Sequence, residues 1–167
     1  MSSSLNNARS ALLAEQYEAA HDEFVGLLES LTEQQWHQIG KNYPRRINDE
    51  DEGRTVGVIA HHVATNGDYI TERIQTMLAG GPLAPINQRE INSEHARLHA
   101  NATKDEVLRL MRASRPRIAN AVRAIPDGQL DIQRSTPVGP MSAAERVERV
   151  LIGRLKQHQG SIEKAIA

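Results

Sequence analysis

SAAERVERVLIGRLKQHQGSIEKAIA, residues 142–167, is the clearest helix in this chain. Ser142 followed three residues later by Glu145 is a capping-box spacing and opens it. Leu151, Leu155 and Ile162 recur at helical steps and set an apolar stripe. Two residues on that stripe are foreign to a hydrophobic seam, Arg154 and His158. They are four apart and therefore lie one turn above the other on one face. Gly153 and Gly160 interrupt the helix, each at a cost of about 1 kcal/mol relative to alanine when exposed. They permit a close helix approach or ligand access, or they are simply tolerated at the surface.

Working back from this segment, the chain offers partners for its stripe. Leu5, Ala8, Leu12, Gln16, Ala20, Phe24, Leu27, Leu28 and Leu31 predict a first amphipathic helix, with Glu15, Glu18, Asp22 and Glu23 on its wetter sides. Thr32 and Gln35 have capping-box spacing and predict a short turn carrying Trp36. Residues 40–53, GKNYPRRINDEDEG, read as a solvated loop from their proline, flanking glycines and mixed charge. Thr55 is the expected N-cap of a second long helix with Ile59, His62, Val63, Asn66, Ile70, Ile74, Met77 and Leu78 inside. That helix stops at Gly80, Gly81 and Pro82. INSEHARLHA, residues 91–100, is helical in pattern and is expected to end near Asn101. Thr103 with Glu106 opens a further helix through Val107, Leu108, Met111, Ile118, Val122 and Ile125, in which Pro116 predicts a kink or break. Residues 126–141 are loop by their prolines and glycines. Nothing alternates at period two for long enough to form a sheet. Four main helices with one inner stripe each predict an all-α, antiparallel four-helix bundle, a single domain over residues 1–167 with no internal repeat.

Composition narrows the function classes. The 167 residues carry a formal net charge of -1 and only 3% aromatic residues, so neither nucleic acid nor an anionic membrane is an expected partner. There is no cysteine, which rules out a disulfide frame and any protein thiolate as ligand or nucleophile; thiol chemistry would need a small-molecule thiol. The opening MSSSLNNARS lacks the apolar run of a secretory signal, and no stretch has the length of a membrane span. A cytoplasmic protein is expected.

Seven histidines without a cysteine invite a metal reading. His62 and His158 sit on the inner stripes of two different helices, the arrangement from which bundle metal sites are built. Spacing alone fits equally, and in proteins more commonly yields, core histidines satisfied by one hydrogen bond each. His61 is rotated about 100° from His62 and is expected to face a neighbouring helix or solvent. His95 and His99 are four apart and able to chelate. Their polar surroundings instead favour a solvated helix, from which either could swing into a shared cleft. His21 and His37 receive no role. Arg154 either snorkels or pairs with Glu15, Asp22 or Glu23, or its guanidinium holds the anionic group of a ligand.

Taken in order, TEQQW, GRTVGVIAHHVATNGDYI, INSEHARLHANATKDEVL and GPMSAAERVERVLIGRLKQHQGSI resemble the DinB/YfiT-like superfamily over most of the chain. The resemblance implies an up-down-down-up four-helix bundle, often a homodimer. It also implies a metal triad of one histidine on the second long helix and an H-x3-H pair on the last. The first matches His62 and the second member of the pair matches His158, while Arg154 stands where the pair's first histidine would be. The implied activity is metal-dependent transfer to a small thiol such as mycothiol or bacillithiol, or hydrolysis. Zinc or nickel would be held by His62 and His158, with a third ligand from His61, His95, His99 or water, and Arg154 would orient the substrate's anion. The alternative is a metal-free bundle that binds an anionic small molecule or serves as a dimeric interaction module. A fixed cation one turn from the site would disfavour a divalent ion there.

Overall fold

The computed structural model describes residues 7–41 and 53–167. Leu5 and nearly all of the charged loop expected at residues 40–53 lie outside them. The elements are α1 (Ala8–Ser30), α2 (Glu33–Trp36), α3 (Val56–Leu78), α4 (Gln88–Leu98), α5 (Lys104–Arg123) and a final helix in three consecutive parts. Those parts are α6 (Ala143–Glu145), a π-helical turn (Arg146–Ile152) and α7 (Gly153–Ile166). Among the described residues the only β pairings are two isolated bridges, Ile39 with Thr55 and Arg134 with Met141. Among the described residues no helix is long and apolar enough to cross a membrane.

Helix α1 packs along α5 and the final helix, and α3 packs along the same two. The pairs α1/α3 and α5/final helix therefore stand on the diagonals of a four-helix bundle. Side-chain contacts set the directions. Asn7 Nδ2 donates to Arg123 O at 3.3 Å, and at the other end Lys104 Nζ donates to Leu31 O at 2.7 Å, so α1 and α5 are antiparallel. His61 lies beside Glu106 and Asp68 pairs with Arg117, so α3 and α5 run the same way. His62 meets His158 while Gly67 meets Leu151, so the final helix runs against α3. The order is up-down-down-up, as the family resemblance implied.

The caps explain where the helices begin. Thr32 with Gln35 and Ser142 with Glu145 form complete capping boxes, and the Thr55 side chain accepts from Val58 N–H. Thr103 accepts from Glu106 N–H, but the reciprocal arm is not made. The Glu106 carboxylate faces His61 instead, at 4.0 Å from Nε2. Asn7 provides no side-chain cap for α1. Asp127, from the turn after α5, supplies one across the fold: its carboxylate accepts from Arg9 N–H at 2.9 Å and Ser10 N–H at 3.0 Å.

Three sequence expectations are corrected. On α1, Leu12 is 54% exposed, while Leu13, Tyr17 and His21 are buried beside Ala20, Phe24 and Leu28. His21, given no role, joins α1 to α5 through its Nε2 at 2.8 Å from Met111 O. Pro116 does not break α5, which runs unbroken from Lys104 to Arg123. The helix after residue 91 ends earlier than expected, at Leu98.

Ion pairs line the outer α1/α5 seam. Arg115 binds both Asp22 carboxylate oxygens at 2.7 Å and Glu18 at 2.7 Å. Asp22, one of the partners considered for Arg154, is thereby engaged, and the Arg115 hydrogen bond lowers its pKa. Along the inner seam, α3 approaches α5 so closely at Gly67 that a Cβ there would lie 2.4 Å from Ile118 Cδ1. A methyl there would require the end of the Ile118 side chain to turn aside.

Candidate functional site

Five histidines converge at one end of the bundle. His61, His62 and His158 are buried, and His95 and His99 are half-buried. Consecutive residues on a helix are turned by about 100°, so His61 and His62 address different neighbours. His62 meets His158 of α7, ring centroids 5.1 Å apart and edge to face. His61 meets α4, where His95 and His99 lie one turn apart on the inward side. Asn87 caps α4 by accepting from Glu90 N–H, and a Gln88–Asn92 bond and the Glu94–Arg97 pair hold it locally. Asn92 is its one buried residue. Its histidine face, rather than an apolar stripe, is what α4 turns toward the bundle.

The contacts are tight. His61 Nδ1 and His95 Nε2 are 2.9 Å apart, one ring donating its N–H and the other accepting. His99 stacks on His61 with centroids at 3.8 Å and planes 19° apart. His95 also meets the edge of His62 at 5.4 Å, which links the α3/α4 histidines to the α3/α7 pair. His95 Nδ1 is buried with no hydrogen-bond partner among the described residues.

Burial favours the neutral form of His95 and His61. Burial pushes the His95 pKa down to about 4, assisted by His61, His99 and Arg54. Burial likewise lowers that of His61, with His99 acting in the same direction and Glu106 against it. Neutral imidazoles with free lone pairs are the form that ligates a metal.

His61, His95 and His99 form a group that could hold a metal ion, their ligating nitrogens all within 4.8 Å of one another. Zinc–nitrogen bonds of about 2.0–2.1 Å place tetrahedral ligand atoms about 3.4 Å apart. For the three lone pairs to converge, the His99 ring must turn out of its stack on His61; with that rotation the imidazole donor set suits a borderline divalent ion. The expected pair His62 and His158 is brought together as the sequence implied, and Arg154 lies one turn along from His158. Arg154, His158 and Asn66 border a cavity of about 20 Å³ whose other walls include Tyr17, Gly67 and Ser114. A space of that size admits about one water, so a larger ligand requires the walls to part.

The compact triad was not assembled from the sequence. The i, i+4 spacing of His95 and His99 and the tandem His61–His62 were its only signals; that α4 folds back onto the start of α3 is a tertiary fact. The sequence model of the DinB superfamily matches residues 16–162. No curated protein matches the chain. The topology, the histidine-bearing second and last long helices and a family match over nearly the whole length agree: the chain belongs to the DinB superfamily.

Proposed function

We propose that this DinB protein is a metal-dependent enzyme acting on a small molecule, either a transferase that uses a small thiol or a hydrolase. The observation that supports this is the convergence of three imidazoles, from His61, His95 and His99, beside His62 and His158. It supplies the ligand that Arg154 removes from the last helix, and from an element outside the four main helices. A divalent ion bound there, zinc or nickel, supplies one thing: it lowers the pKa of a thiol or water bound to it. The chain's own residues do the rest. Glu106, at 4.0 Å from His61 Nε2, is the carboxylate that acts electrostatically on that ring and favours a proton on that nitrogen. Arg154 on the cavity wall binds the anionic group of the substrate. The homodimer typical of the family is proposed with it and is checked by sedimentation.

A second assignment of ligands has its own support. His95 touches both His61 and His62, so His62, His158 and His95 form an alternative set. Zinc and nickel titrations of His61→Ala and His158→Ala separate the two. Loss of binding in His61→Ala with retention in His158→Ala supports the α3/α4 triad; the reverse supports the α3/α7 pair. If the unmodified chain takes up neither metal, it is a metal-free binder of anions.

A further inference from the structure

Arg146 lies at the start of the π-helical turn and is only 7% exposed. A guanidinium cannot discharge within the working pH range, so burying one demands compensation. None is present among the described residues. Its Nε is buried with no hydrogen-bond partner. The charged groups acting on it are two further cations, Arg73 and Arg154, together with Tyr69, and no carboxylate. Nearby acids are engaged elsewhere: Asp68 binds Arg117 through both oxygens, and Glu145 accepts from Ser142 N–H within its capping box. Burial and the two arginines lower the Arg146 pKa, the sign of a cation held where cations are unwelcome.

The fold gathers the three arginines deliberately. Residues eight apart on an α-helix are offset by about 80° around the axis. The wider π-helical turn between Arg146 and Arg154 narrows that offset, bringing both toward α3. From the α3 side, Arg73 is braced by its bonds to Ala84 O at 3.0 Å and to the Tyr69 hydroxyl at 3.4 Å. Along the α3/final-helix seam, His62 meets His158, Asn66 and Arg154 line one cavity, and Tyr69 and Arg73 lie within electrostatic reach of Arg146.

We propose that Arg73, Arg146 and Arg154 form a subsite for a dianionic oxyanion, the phosphate monoester being the chemical class that fits. No carboxylate acts on the buried Arg146, and the planar fork of arginine matches phosphate oxygens. The subsite extends the anion-binding role given to Arg154 above, but it does not depend on the metal. A substrate would place its reacting group at the histidines and its phosphate at Arg146.

The test is thermal denaturation of chelator-stripped protein titrated with inorganic phosphate, with acetate as the monoanionic control. Phosphate is expected to raise the melting temperature saturably and acetate not to. Arg146→Met and Arg73→Met are each expected to raise the phosphate midpoint about tenfold or more. Arg112→Ala, at a surface arginine paired with Glu29, should leave it unchanged. Should Arg146→Met not fold, the half-buried Arg73→Met carries the test alone. No stabilisation of the unmodified chain by phosphate, or an equal response in Arg73→Met, would overturn the proposal. Because the metal is absent throughout, failure of the metal reading would register separately, in the zinc and nickel titrations.

Discussion

At the scale of single residues, the site depends on His95, the ring that touches both the α3/α4 triad and the α3/α7 pair. His95→Ala should therefore weaken zinc binding by about 100-fold or more under either ligand assignment, as read by calorimetric titration. The same ring makes the metal-free fold sensitive to acid. In the unfolded chain it takes up a proton near its ordinary value of 6.5, whereas in the fold it stays neutral down to about 4. The unfolded state therefore binds more protons throughout that window, and stability falls as pH drops through it. Melting temperatures of chelated protein should be level above pH 6.5 and decline toward pH 4, with a shallower decline in His95→Ala. His62 and His158 were legible in the sequence because each lies on an apolar stripe. Arg146 was not, because its burial depends on the π-helical turn, which no local spacing announces.

At the scale of elements, helix starts were legible and helix interiors less so. Thr32, Thr55, Thr103 and Ser142 all cap, Thr103 without the reciprocal arm its spacing indicated, since capping is local chemistry. The start of α1 was not readable in this way: its cap is Asp127, more than a hundred residues away in sequence. Asp127→Ala should lower the melting temperature, and the two backbone amides it caps should lose hydrogen-exchange protection first. Proline costs about 3 kcal/mol relative to alanine in a helix interior, and α5 continues through Pro116 despite it. The contacts of α5 with α1 and α3 on both sides account for that. Pro116→Ala should accordingly stabilise the fold by about 1–3 kcal/mol in denaturant titrations. In the final helix, Gly153 N–H bonds to Glu148 O five residues back, and a Cβ at Gly153 would sit 3.1 Å from that oxygen. The glycine that interrupts the helix in sequence is thus the residue that closes its π-helical turn.

At the scale of the whole molecule, stripes at helical period were enough for an all-α bundle, while the order of helices came from the family likeness. Periodicity alone suggested antiparallel neighbours; the structure runs α3 and α5 in the same direction, with Gly67 allowing their close contact against Ile118. Gly67→Ala should change stability by no more than about 1 kcal/mol in denaturant titrations, because the Ile118 side-chain end can turn aside and alanine is the better helix former. The same topology places α4, which the sequence marked only as a polar helix, over the end of α3 where His61 and His62 lie. The most direct measurement of the metal claim is the zinc and nickel content of the purified chain beside His95→Ala. The account predicts about one ion per chain in the former and loss of it in the latter. A metal-free native chain that binds neither ion on titration would contradict it.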